Sequence, residues 1–172
     1  MVDESGFYLL PSVVATYAPV GQTPVLEHTL ARDHLSVIGA ITPEGRLFTR
    51  LHERAIKSEQ VIDFVGHLLA SIAGKLLIIW DGATIHKSKA LKAFLSECHQ
   101  KEPGRLLLEQ LPGYAPELNP QEGIWRYLKY EEMPNLCCQS LGHLRYEFVL
   151  ARERLRHKRH IIQACFRHAG CY

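Results

Sequence analysis

No run of eighteen apolar residues occurs in the chain and no signal peptide opens it, so the sequence offers no membrane span and no secretion route. The expected location is therefore cytoplasmic. Net charge is nearly absent as well: 20 Lys and Arg stand against 18 Asp and Glu, leaving +2. Affinity for an anionic partner must then come from local patches. Cysteine is sparse. The five cysteines include no CxxC pair, and an odd number without a secretion signal argues for reduced thiols. Near the C-terminus His157, His160, Cys165, His168 and Cys171 gather loosely. Their spacing matches no standard zinc site, and ordinary residues on a helix and its frayed end account for them. Repeats, low-complexity segments and interior boundaries are missing too. The 172 residues read as a single domain, large enough to bury a core without staples.

What remains is an ordinary globule, 47% hydrophobic and 22% charged. GFYLL (6–10) reads as a short strand running away from Asp3 and Glu4. Residues 11–34, punctuated by Pro19, Gly21 and Pro24, read as an extended loop or irregular hairpin arm. LSVIGAI (35–41), the turn TPEG (42–45) and RLFTRL (46–51) form a hairpin. Residues 58–73 carry Val61, Phe64, Val65, Leu68 and Ile72 at helical spacing, with Ser58 as cap and Gly74 as terminator. KLLIIW (75–80) is a continuous apolar run of strand length, suited to a central strand, and it delivers Asp81 at its end. A helix over 88–100, capped by Ser88, leads to a second buried strand, RLLLEQL (105–111). A last helical region spans roughly 139–167, with a break near Arg156–Arg159, inside a C-terminal helical region over 135–172. The order predicts an α/β domain: a mixed sheet flanked by helices.

The stretch LPGYAPELNPQEGIW (111–125) ends a turn-rich loop and starts a helix whose apolar, core-packing face begins with Ile124, Trp125 and Leu128. Asn119 suits the N-cap, Pro120 the first helical position, and Glu122 falls three residues after the cap. Glu122 fits two readings: a capping-box residue, or an acid projecting from a helix start into a site. Asp3 and Asp81 also adjoin strands, and in open α/β sheets ligands gather at strand ends. Converging carboxylates repel unless cations neutralise them, and an all-oxygen set suits Mg²⁺ or Mn²⁺. Each acid alone also has a plain reading, as a turn residue, a terminal residue or a cap.

Taken together, DESGF (3–7), IIWDGATIHKS (78–88) and LPGYAPELNPQEGIW (111–125) resemble the catalytic domain of mariner-like transposases, and more narrowly the bacterial insertion-sequence branch of that superfamily. The family pattern has Asp-Glu at the first strand and Asp-Asn-Ala-x-x-His after the central strand. Its third site reads Leu-Pro-x-Tyr-Ser-Pro-x-Leu-Asn-Pro-x-Glu-x-x-Trp. TYAPVGQTP (16–24) adds a fourth match. The resemblance implies a ribonuclease-H-like fold and a DDE-type endonuclease. Its catalytic, metal-holding acids would fall on Asp3, Asp81 and Glu122, the last two 41 positions apart. Two ions of Mg²⁺ or Mn²⁺ and a DNA substrate, transposon ends and target, come with it, and a homodimer is among the partners. Glu4 is the companion acid and is not assigned to metal. Gly82 replaces the usual Asn, which is expected to loosen the hydrogen bonding round Asp81, and Ala115 replaces the usual Ser. The family's helix-turn-helix region is not matched, so the chain reads as a catalytic core alone, with only Met1 and Val2 ahead of Asp3 to begin its first strand.

Candidate DNA contacts are His86, at the place of the family's His and suited to touching a phosphate or orienting an acid, and Lys87 beside it. Further along lies a basic run with Arg152, Arg156 and Arg159. That run alternates round its helix, so it is not one clean face. A rival function keeps the fold without catalysis, as a DNA-binding or dimerising remnant. A third, a different nuclease of the same fold, is opposed by LNPQEGIW.

Overall fold

The computed structural model describes residues 1–27, 32–113 and 115–171. It opens with an antiparallel trio, β1 (Val2–Tyr8), β2 (His34–Ile41) and β3 (Leu47–His52), with β2 at the centre. Next come α1 (Ser58–Ser71), β4 (Leu76–Trp80), α2 (Lys89–Lys101) and β5 (Leu106–Gln110). β4 and β5 pair in parallel, with α2 as the crossover such a pair needs. The chain then forms α3 (Pro120–Tyr127), which runs on through a π-helical turn (Leu128–Glu132), then α4 (Leu141–Arg156) and α5 (Arg159–His168). The trio and the pair are separate sheets, and β1 borders β4. The mixed character predicted for one sheet is thus divided between two.

Strand alternation sorts the trio's side chains into two cores. Val2, Ile38 and Ala40 face α1 and α2, where they join Val61, Phe64, Leu68, Ile78, Trp80 and Leu91. Phe7, Leu35, Val37 and Ile41 face the other way, onto Ile124 and Trp125 of α3, Phe148 and Leu155 of α4, and Ile162 and Phe166 of α5. Asp3 and Glu4 are consecutive, so one carboxylate goes to each face. On β4 the same rule sends Leu76, Ile78 and Trp80 to the first core. It turns Leu77 and Ile79 to the opposite side.

Two local expectations need correction. The first strand is not 6–10 but Val2–Tyr8, paired residue by residue with β2 from Val2↔Ala40 to Tyr8↔His34. Asp3 and Glu4 therefore lie inside the strand, not beside it. The cap of α1 is Lys57, whose N–H donates to the Gln60 side chain, while the Ser58 hydroxyl donates to the Ile85 carbonyl at 3.2 Å. Of the segment 11–34, positions 28–31 lie outside the described residues; Ser12 bridges to Pro134, and Tyr17 and Val20 are fully exposed. The hairpin, α2 with its Ser88 cap, and the break between α4 and α5 at His157–Lys158 all fall where periodicity and cap chemistry predict. All five cysteines are free thiols. No helix among the described residues is long and apolar enough to cross a membrane.

Candidate active site

Asp3 is buried, 7% exposed, on the face that α3 covers. Its β2 partner is Gly39. A Cβ on Gly39 would sit 2.5 Å from the Trp125 ring and 2.8 Å from the Gln121 amide. The missing side chain is what lets α3 settle onto the sheet beside Asp3. Asn119 caps α3 through its side-chain oxygen, which accepts from Gln121 N–H at 3.1 Å. Its Nδ2 is thereby free to donate to Asp3 Oδ2 at 3.0 Å. Trp125, one turn further on, donates its indole N–H to the same oxygen at 3.0 Å. Burial raises the Asp3 pKa to about 7, against the pull of the Trp125 bond and the Glu4 N–H; the charges of Glu122 and Glu4 raise it further.

Glu122 is exposed on the first turn of α3. The Asn119 N–H donates to the Pro116 carbonyl at 3.0 Å. No capping box closes α3, and the carboxylate of Glu122 is left to face outward. Lys129, on the π-helical turn, donates to Ser5 Oγ at 2.9 Å. Burial lowers its pKa, while Glu122 and Asp3, both close enough to be felt, raise it. A groove of about 680 Å³ opens here, lined by Glu122, Trp125, Arg126 and Lys129 with Cys165 and His168 of α5. Tyr114 lies outside the described residues.

Asp81 follows β4, its side chain 48% exposed. Oδ1 accepts from the Ala83 N–H at 2.9 Å and lies 3.0 Å from His86 Nδ1. His86 Nδ1 is also 3.2 Å from the Asp81 carbonyl, and Nε2 is 3.2 Å from Glu4 Oε1. The imidazole stacks flat on Trp80 at 4.5 Å and is 7% exposed. Burial would lower its pKa, but the Glu4 bond and charge, with Asp81, outweigh burial and raise it. His86 is therefore an internal residue joining two acids; the DNA contact expected of it is corrected by this burial. Gly82 leaves no gap, since a Cβ there would meet the Gln110 amide at 2.8 Å and Lys87 Nζ at 3.5 Å. The loosening expected at Asp81 is countered by Ala83 and His86.

The basic run is also revised. Arg152 and Arg156 both pair with Glu153, at 2.7 and 3.2 Å. Arg154 and Lys158 both pair with the almost buried Glu132, at 2.6 and 2.7 Å. Four of its cations are thus matched by two acids, which removes the free stripe. Lys87 and Arg159 stay exposed, and among the described residues neither has an ion pair.

The donor set, three carboxylates, suits a hard divalent cation, and α3 covers the face of β1 that carries Asp3. Glu122 is near enough to raise the Asp3 carboxyl. Among the described residues, no three His, Cys, Asp or Glu side chains are already gathered to hold an ion. The fit is therefore one of chemistry, with the exposed Glu122 and the half-exposed Asp81 left to close it. Sequence reasoning missed the donors to Asp3 and the Glu4–His86 link. Asn119 and Trp125 already had adequate local roles, as cap and core.

A family model described as DDE superfamily endonuclease matches residues 1–144. No curated protein matches the sequence. Among solved structures the chain is similar to the Mos1 mariner paired-end complex with Mn, at 13% identity and TM-score 0.65, covering 99% of this chain and 55% of that one. It is similar to a Mos1 transposase paired-end complex with the left transposon end, at 12% identity and TM-score 0.63, with the same coverage. A third match is the mariner Mos1 paired-end complex with Mg, at 16% identity and TM-score 0.60, covering 98% and 54%. The chain thus spans about half the length of these relatives. At such identities the likeness shows the fold, which is ribonuclease-H-like.

Proposed function

The chain belongs to the DDE superfamily endonucleases, and we propose that it is the catalytic core of a transposase that cuts and rejoins DNA. The supporting observation is the clamp on Asp3: two donors from α3 orient a buried carboxylate while the same helix presents Glu122 beside it. A structural acid would need neither the second acid nor the groove that opens at Glu122.

Asp3, Asp81 and Glu122 would hold Mg²⁺ or Mn²⁺, two ions on the DDE pattern. Bound there, the metal supplies Lewis-acid polarisation of a phosphodiester and activation of the attacking oxygen. Asn119 and Trp125 keep Asp3 Oδ2 fixed, so the carboxylate is oriented before substrate arrives. In the first reaction a water oxygen bonds to phosphorus and the P–O3′ bond breaks, the 3′ oxygen leaving as a hydroxyl with the water's proton. In the second, that 3′ oxygen bonds to a target phosphorus and displaces the target's own 3′ oxygen. One phosphodiester is exchanged for another, so ATP is not required. Lys87 and Arg159, exposed and without an ion pair among the described residues, and Lys129 on the groove wall are the cations that would meet phosphates. Arg152 and Arg156 would first have to give up Glu153.

The test is a Mn²⁺ titration followed by thermal melting, beside cleavage of duplex DNA. Wild type should melt higher with metal, by mass action on the folded state. Glu122→Gln should fold as wild type does and lose most of that gain, because no cap depends on the charge. A wild type indifferent to both Mn²⁺ and Mg²⁺ would sink the reading in favour of a DNA-binding or dimerising remnant. The assembly partners, a second copy and a helix-turn-helix region, belong to the whole transposase and are tested by its oligomeric state on DNA.

A further inference from the structure

We propose that Glu4 and His86 are a positioning pair for Asp81: an imidazole clamped between the two acids that sets which way the Asp81 carboxylate faces. This rests on the proposed metal-holding role of Asp81. It assigns Glu4 a task that no ligand role requires.

The geometry is over-determined at His86. The short 3₁₀ turn Thr84–Lys87 is closed by the His86 N–H bond to the Ala83 carbonyl at 3.0 Å. It is pinned from α1 by Ser58 Oγ, which donates to the Ile85 carbonyl at 3.2 Å. It is held from α2 by the Ser88 cap, which accepts the Leu91 N–H at 3.1 Å. The ring lies flat on Trp80, 6° from parallel. Its remaining freedom, rotation in its own plane, is removed by its two nitrogens, one on Asp81 and one on Glu4. A histidine filling space would need one such restraint; this one has several, and they hold Nδ1 3.0 Å from Asp81 Oδ1.

That oxygen accepts the Ala83 N–H and lies 3.0 Å from His86 Nδ1, whose hydrogen bond goes to the Asp81 carbonyl. Oδ2 takes part in neither contact. The carboxylate is therefore set through Oδ1, which leaves Oδ2 for a ligand. Glu4 points to the opposite face from Asp3 and meets His86 Nε2 there. In this way β1 contributes to both acids, directly with Asp3 and through the ring with Asp81. Outer-shell partners of this kind typically change metal affinity by roughly 10–100-fold when removed.

A purely structural reading competes, since β1 and β4 are in different sheets and the Glu4–His86 contact also ties them. The two differ in what they predict for conservative variants. In His86→Asn the amide nitrogen falls near the place of Nδ1 and can still donate to Asp81, while the Glu4 link is cut. In His86→Gln it falls near Nε2, keeping Glu4 and releasing Asp81. Mn²⁺ affinity is measured on each by the spin-resonance signal of the free ion, with melting in EDTA as the control for folding. Positioning requires His86→Gln to bind Mn²⁺ at least tenfold more weakly than wild type, with His86→Asn clearly the tighter of the two. Glu4→Gln should fall between wild type and His86→Gln. If both His86 variants melt lower and bind Mn²⁺ as wild type does, the pair is a structural tie and the assignment fails while the metal reading stands. If wild type itself ignores Mn²⁺, the metal reading fails first and takes this one with it.

Discussion

Two of the acids are held in opposite ways. Asp3 is inside the protein, fixed by Asn119 and Trp125 from the same helix that forms the floor of the second core. Asp81 is half in water, held by one loop N–H and an imidazole. The difference follows from topology. β1 is covered by α3, so its acid loses water and needs donors to remain there at all. β4 borders the uncovered half of that face, where Leu77 and Leu107 are about half exposed, so its acid keeps water and needs only aim. Asp3 is thereby tied into the core, at a cost to the fold when it is charged, and Asp81 is close to a passenger.

The sharpest break in that comparison would come from Trp125→Ala. The ring is 2% exposed, packs edge-on to Phe7 at 6.1 Å and donates to Asp3. Removing a buried aromatic of this kind costs about 3–5 kcal/mol, and here a buried carboxylate loses a donor as well. Urea unfolding should show it. A loss below about 1 kcal/mol, within the range of an exposed position, would mean Asp3 is not anchored through the core.

The next effect is a pH dependence. The Asp3 pKa stands at about 7, above the ordinary 3.8. An acid raised on folding binds its proton more tightly in the folded state. Its contribution is therefore fully present below about pH 4 and is withdrawn as pH climbs to about 7. Three units correspond to about 4 kcal/mol as an order of magnitude. His86 acts in the same direction, since its raised pKa gives stability below 6.5 that is lost as pH passes the folded value. In EDTA, wild type should lose stability toward neutral pH relative to Asp3→Asn. The Asn oxygen can still accept from Asn119 and Trp125, so that variant lacks only the charge. Parallel pH profiles for the two would show that Asp3 is not desolvated in solution.

These differences explain which parts were legible in the sequence. β2 to β5, the helices after them and the Asn119 and Ser88 caps follow from local periodicity and cap chemistry. β1 did not, because Asp3, Glu4 and Ser5 are polar and become strand only through pairing with β2. The family motif located the three acids but not what holds them. The Asp3 donors are 116 and 122 positions away, and Glu4 and His86 are 82 apart. Asn119 and Trp125 had each already been explained by a local role, and a residue with one sufficient job gives no sign of a second. The basic run misled for a related reason: Glu132, which takes Arg154 and Lys158, lies 22 and 26 positions earlier.

The smallest effect on the fold should come from Asp81→Asn, and that smallness is informative. The Asn oxygen replaces Oδ1 and still accepts from Ala83. What is lost is one charge facing His86, on a side chain 48% exposed, where water already screens it. With one partner half in water the pair is worth about 1 kcal/mol, so the metal-free variant should melt close to wild type. The metal response is the opposite case. A ligand at a hundred times its dissociation constant adds about 2.7 kcal/mol to the folded state, and deleting a charged ligand should remove most of that gain. The pair of measurements, melting in EDTA and in Mn²⁺, thus separates an acid the fold needs from one only the ligand needs. If Asp81→Asn lowers the EDTA melting point as far as Trp125→Ala does, the contrast between the two acids is false and Asp81 is structural. If it melts normally and keeps the full Mn²⁺ gain, Asp81 holds no metal, and the site must be built on Asp3 and Glu122 without it.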